Sequence, residues 1–188
     1  MRTVLDERFA DNGRNWPNNA EGTAWFADGG YRLFARQPPR FVAVGAPITA
    51  PLRDVVVAAT FRKVGGPPGG GYGLIVRDQR LESRDGLEQG GRYYVLEAGD
   101  LGEVGAWRRE GEQWVDLLPW TRSTAVNPGS AANQLTVQAF GERLQLLVNG
   151  VLVVDLVDAV LPEGGVGVFV GGDLNQVVLD RFLVQAYE

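Results

Sequence analysis

The side chains best equipped for chemistry stand at alternate positions in three short apolar segments. In residues 71–78 a period of two puts Gly73, Ile75 and Arg77 on one face. In residues 92–98 it groups Tyr93, Val95 and Glu97, and in residues 103–109 it groups Glu103, Gly105, Trp107 and Arg109. If these faces coincide on one sheet, Arg77, Tyr93, Glu97 and Trp107 form a polar and aromatic floor. Such a floor orients hydroxyls by hydrogen bonds and stacks on flat apolar faces. The alternative is that Arg77 and Glu97 simply pair across neighbouring strands, a contact worth ~0.2–1 kcal/mol.

What is missing excludes more. The 188 residues include no His and no Cys. Histidine zinc sites, imidazole acid–base catalysis, Ser-His-Asp triads, thiolate nucleophiles and disulfides are therefore ruled out. The net charge is −5, from 18 basic and 23 acidic residues. Dispersed arginines on an acidic chain lack the basic stripe that a phosphate backbone requires, so nucleic acid is not an expected partner. The first nine residues contain Asp6 and Glu7 and no apolar core, unlike a signal peptide. No run approaches the ~20 apolar residues of a membrane helix. The chain fits a cytoplasmic protein or a module of an exported one.

The elements that must position these residues are strands. Gly at 26 and Pro at 10 imply frequent turns, and 45% hydrophobic residues suffice for a core. Residues 133–140 alternate Leu135, Val137 and Ala139 with Gln134, Thr136 and Gln138, a strand with one wet face. Residues 143–148 and 151–156 flank Asn149-Gly150, the pair a type I′ hairpin turn demands. The expected register sets Val148 opposite Val151 and Leu146 opposite Val153. Further strands are expected at residues 4–9, 25–35, 41–44, 54–63, 72–78, 92–98, 103–109, 113–117, 165–170 and 176–186. Residues 54–61 are apolar on both faces and belong in mid-sheet. So many strands without crossover helices must pair antiparallel, and they exceed what one sheet holds. The expectation is all-β: one domain over residues 1–188, a two-sheet antiparallel β-sandwich of jelly-roll type. Residues 64–71 are expected to form a flexible loop. Residues 80–91 form a charged one, where Glu82, Asp85 and Glu88, with Asp78 just before it, face solvent. Trp114 and Trp120, near strand ends, are expected to cap the core, Trp25 to pack, and Trp16 to lie in a rim loop.

The string Gly71-Tyr72-Gly73-Leu74-Ile75-Val76-Arg77, then Tyr93-Tyr94-Val95-Leu96-Glu97, then Trp114 with Trp120, resembles concanavalin A-like (laminin-G-like) jelly-roll domains of bacteria. So do Asn133-Gln134-Leu135-Thr136-Val137, Val148-Asn149-Gly150, Asp155, Gly165-Val166-Gly167-Val168 and Asp180-Arg181-Phe182. The resemblance spans the chain from about Phe9 to Val184. It implies the sandwich, and a carbohydrate-binding or sensory module or a sugar-cleaving enzyme. Laminarinase-like enzymes on that fold place Glu-x-Asp-x-(x)-Glu on one strand. Here Glu97, Asp100 and Glu103 are spaced by threes and broken by glycines, so that signature is absent and no catalytic residue is assigned. The expected function is a non-catalytic module that binds carbohydrate or a similar polar ligand through Arg77, Tyr93, Glu97 and Trp107, or that mediates adhesion. The alternatives are a glycan-processing hydrolase and a structural domain that meets a protein partner. No cofactor is expected beyond the Ca²⁺ that such jelly rolls hold between loops, for which Asp28, Asp173 and Asn175 could supply oxygen ligands.

Overall fold

Fourteen strands and no helix form among residues 1–81 and 85–187, the residues that the computed structural model describes. They are β1 (Arg2–Glu7), β2 (Ala24–Ala27), β3 (Gly30–Phe34), β4 (Val42–Gly45), β5 (Val55–Gly65), β6 (Gly71–Asp78) and β7 (Arg92–Gly99). They continue as β8 (Glu103–Glu110), β9 (Gln113–Arg122), β10 (Asn133–Phe140), β11 (Arg143–Val148), β12 (Val151–Val157), β13 (Gly165–Gly171) and β14 (Gln176–Ala186). One sheet of eight strands runs β12-β11-β10-β5-β14-β3-β2, with β1 also on β14. The other, of six, runs β4-β13-β6-β7-β8-β9. All ladders are antiparallel. This is the two-sheet antiparallel β-sandwich expected.

Alternation builds the core. In β5, Val55, Val57, Ala59 and Phe61 point inward, and in β10, Leu135, Val137 and Ala139 do the same. Across the gap stand Tyr72, Leu74 and Val76 of β6 with Tyr94, Leu96 and Ala98 of β7. Each Val, Leu or Phe among them contributes ~1.5–3 kcal/mol by leaving water, and the alanines less. Strand β5 does lie in mid-sheet, but its second face is half-exposed at Val56, Ala58 and Thr60. Like the short β4 along its four residues, strand β6 is buried on both faces along all eight of its residues. Its outer face is covered by a separate apolar cluster of Ala43, Ile75, Tyr93, Val95 and Phe169, with Phe41 against it.

Several elements depart from expectation. Residues 25–35 are a hairpin rather than one strand, because Asp28 and Gly29 adopt φ of 52° and 74° and reverse the chain. Asn149 and Gly150 have φ of 52° and 81°, and Val148 faces Val151 as expected. A bulge after Leu146 then pairs it with Val154 instead of Val153. Strand β9 extends to Arg122, past Pro119, which its position on the sheet edge permits. Trp16 is 2% exposed and packs edge-on against Phe9, Tyr31 and Phe182 at 5.3, 5.4 and 5.5 Å. Asn12 turns it inward by accepting from the Trp16 N–H (2.8 Å) and donating to its carbonyl (3.0 Å). The glycine-rich segment 64–71 is tied down: Lys63 donates to the Pro67 carbonyl and pairs with Asp100, which also accepts from the Gly69 N–H at 2.8 Å. In the charged loop, Glu82 lies outside the described residues, Glu88 pairs with Arg80, and Asp85 accepts from the Leu87 N–H.

Candidate functional site

Three adjacent strands bring the alternating residues together. The ladder β6-β7-β8 aligns Gly73, Glu97 and Gly105 in one row, and Ile75, Val95 and Trp107 in the next. Beyond Glu97 the outer face is nearly bare, because Gly71 pairs with both Gly99 and Gly171. Where neighbouring strands all present glycine, the sheet surface sinks by the depth of a side chain. Into that recess fold two indoles. Trp107 lies across Gly105, where a β-carbon would stand 2.0 Å from its ring. Trp120 arrives from the edge strand β9, over Gly71 and Gly99, and meets Trp107 at 4.9 Å between ring centroids and 62° between planes. Phe41, Trp114 and Phe169 form the opposite wall, with Phe169 5.1 Å from Phe41 and 5.7 Å from Trp114. The open cleft between these walls has a volume of about 440 Å³ and is also lined by Asp116. That size suits a small ligand.

Glu97 is the polar group of the floor. It is 5% exposed, and its Oε2 has no hydrogen-bond partner in the structure. Burial pushes its carboxyl up to about 8, so at neutral pH it is largely protonated. Asp116 stands exposed on the rim, one strand beyond Trp107. Arg109 braces the second wall. Its guanidinium lies 4.6 Å from the Trp114 ring centroid and 5.1 Å from that of Phe41, and donates to the Gln89 carbonyl at 2.6 and 2.9 Å. Burial lowers its pKa only from a high starting value, so it remains a cation.

Of the four residues expected to form the floor, Glu97 and Trp107 line the cleft. Tyr93 shares their face but is fully buried beneath it, edge-on to Trp114 at 6.2 Å. Arg77 is elsewhere. A bulge in β6, where Gly165 faces Asp78 but Gly167 faces Ile75, gives Arg77 a φ of 54° and turns it between the sheets. There Nη1 donates to the Leu161 carbonyl at 3.0 Å, and Nη2 to the carbonyls of Gly141 and Arg53. The cross-strand Arg77–Glu97 pair therefore does not form either. The glycine recess, Phe41, Phe169 and Asp116 were not among the expected site residues. Trp114 and Trp120, expected as core caps, are 37% and 43% exposed on the cleft walls.

The three residues expected around Ca²⁺ are engaged separately. Asp28 reaches Arg32 at 3.4 Å from a side chain 86% exposed. Asp173 is exposed in the β13–β14 turn. Asn175 is buried and donates to the carbonyls of Gly71 and Gly171 at 3.1 and 3.0 Å, which fastens the cleft floor. Among the described residues no group of three or more acidic side chains converges as a metal site would require.

No family profile and no curated protein sequence matches the chain. Solved structures do. The carbohydrate binding module CBM66 from Bacillus subtilis superposes with a TM-score of 0.69 at 17% identity, over 88% of this chain and 92% of that one. A Bacillus subtilis protein of unknown function with a galectin-like fold gives 0.62 at 14% identity, over 99% and 96%. A native glycosidic hydrolase gives 0.64 at 8% identity, over 100% and 98%. At these identities the likeness establishes the fold, a concanavalin A-like jelly-roll sandwich.

Proposed function

We propose that the cleft binds carbohydrate and that the chain acts as a non-catalytic sugar-binding module. The observation that carries this is the Trp107–Trp120 pair, seated on a glycine recess and lining an open cleft together with Glu97. A pyranose or furanose ring offers a flat C–H face to an indole, and its hydroxyls both donate and accept. A buried carboxyl with an unpartnered oxygen recovers a hydrogen bond when such a hydroxyl arrives, which stabilises the complex and favours hydroxyl-bearing over apolar ligands. The names of the structural neighbours, which include a carbohydrate binding module, a carbohydrate recognition domain and a glycosidic hydrolase, support a sugar ligand without choosing between binding and cleavage.

One observation favours a second reading. Glu97 is held protonated near neutrality and Asp116 lines the same cleft, and an acid with a second carboxylate is the equipment of a glycoside hydrolase. Glycan-array binding by the purified chain, run beside hydrolysis assays on every glycan bound, separates the two. Binding without turnover supports the module. Turnover that disappears in both Glu97→Gln and Asp116→Asn assigns a hydrolase. A folded protein that retains no glycan overturns both.

A further inference from the structure

Both ionisable side chains that line the cleft, Glu97 and Asp116, are acids. The remaining large walls are ring faces of Trp107, Trp114, Trp120, Phe41 and Phe169, and an aromatic face carries partial negative charge. A surface so composed disfavours uronate, sulfate and phosphate groups and attracts a cation. The Trp114–Phe41 wall already has one, because Arg109 stacks on both rings and is anchored to the Gln89 carbonyl. The residues that line the Trp107–Trp120 wall include none. Glu97 belongs to this second wall. A β-carbon on Gly71 would stand 2.8 Å from Glu97 Oε1 and 2.9 Å from the Trp120 ring, so carboxyl and indole close over the same glycine and lie side by side in the cleft wall. Glu97 Oε2, the other oxygen of that carboxyl, is buried without a hydrogen-bond partner.

We infer that the sugar this cleft selects carries a free amino group, seated as an ammonium between Glu97 and the Trp107–Trp120 pair: a glucosamine-type unit rather than a neutral, N-acetylated or acidic one. The inference rests on the carbohydrate reading above and names the ligand class of that same site. An ammonium supplies three donors and a charge, which meet the bare carboxyl oxygen and the indole faces together. It also supplies the counter-charge that burial denies Glu97, so when the sugar arrives already as an ammonium the carboxyl proton leaves to solvent. Asp116 from β9 is the other titratable group lining the cleft, while β6 and β8 present Gly71, Gly73, Gly105 and Trp107 to Glu97.

The test is calorimetric titration of the purified chain at about pH 6, where the sugar amine is mostly an ammonium and Glu97 still holds its proton, with three tetrasaccharides of one backbone: glucosamine, N-acetylglucosamine and glucose, in two buffers of different ionisation heat. The glucosamine tetramer should bind about tenfold more tightly than the other two, with proton release. Glu97→Gln keeps shape and hydrogen-bonding but not charge, and should remove both the preference and the proton release. Equal binding of all three by the parent protein overturns the amine inference and leaves the carbohydrate reading standing. A preference that persists in Trp107→Ala but vanishes in added salt reflects general attraction to an acidic chain, and also overturns it. If none of the three binds and the glycan array is blank, the underlying reading fails as well. Should Glu97→Gln not fold, Asp116→Asn at the exposed rim carries the charge arm, with an expected loss of about threefold for the glucosamine tetramer alone.

Discussion

Glu97→Gln tests the buried carboxyl without any ligand. In the folded chain its pKa stands at about 8, against 4.5 for an unhindered glutamate. Between those values the folded state holds a proton that the unfolded chain has released. Stability is therefore full below the unfolded value and falls as pH rises through the window towards 8. At about 1.4 kcal/mol per pKa unit, the loss by pH 8.5 is on the order of 4–5 kcal/mol. For a domain of this size that corresponds to roughly 10–15 °C in melting temperature. The chain suits this measurement because it has no His, the side chain that ordinarily titrates in the window. The carboxylates whose pKa values ion pairing lowers, Asp6 by Arg181, Glu110 by Arg92 and Asp155 by Arg143, titrate below it. The amide that Glu97→Gln introduces is neutral at every pH. Thermal and urea unfolding at pH 5 and pH 8.5 should thus show the variant close to the parent at pH 5 and well above it at pH 8.5. Parallel pH profiles for the two proteins would refute the burial argument, and with it the assignment of Glu97 as the cleft's protonated floor.

Three further outcomes follow from the same geometry. Trp107 is half-buried against Trp120 and Gly105, so Trp107→Ala should lower the melting temperature by only a few degrees while sugar binding is lost; a cost near the ~3–5 kcal/mol of a buried Trp would place it in the core instead. Gly105→Ala puts a carbon 2.0 Å from the Trp107 ring, and should displace the indole, change its fluorescence and abolish binding at a stability cost of ~1–3 kcal/mol; unchanged emission would show that the indole does not lie there. Arg77→Met leaves the buried carbonyls of Leu161, Gly141 and Arg53 short of donors and should cost about 3 kcal/mol or more by urea unfolding, with sugar affinity of the folded protein unchanged; reduced affinity at full occupancy of the fold would return Arg77 to the site.

Much of the fold is legible because period-two alternation is a local signal. Leu135, Val137 and Ala139 announce their strand, Asn149-Gly150 announces its turn, and the faces of β6, β7 and β8 can be counted before their order is known. The Asp28-Gly29 turn carried the same kind of signal and is obscured by apolar residues on both sides. Arg77 is a different case. Nothing in Leu74-Ile75-Val76-Arg77-Asp78 marks a bulge, and a left-handed arginine is stable only because three carbonyls from distant loops accept its guanidinium. Trp16 is similar: its inward turn depends on Asn12 and on aromatic partners as far along the chain as Phe182. Long-range acceptors leave no trace in a local window.

The site was half legible for a related reason. Glu97 and Trp107 stand out as side chains, but the cleft is made chiefly by side chains that are missing. In a sequence a glycine reads as a turn, and Gly71, Gly73, Gly99, Gly105 and Gly171 each look like one when met singly. Only the ladders reveal that Gly99, Gly71 and Gly171 are neighbours and that Gly73 and Gly105 flank Glu97. The same alignment decides the tryptophans. Trp114 and Trp120 would cap the core if β9 lay over it, yet β9 is the outermost strand of its sheet, and a recess of glycine lies inward of it. An indole on an edge strand beside a floor of glycines lays one face on that floor and leaves the other open. The open surface follows from topology, and the carboxyl beneath it follows from period-two counting. Their meeting in one cleft follows from the register that joins β7 to β8 and β8 to β9.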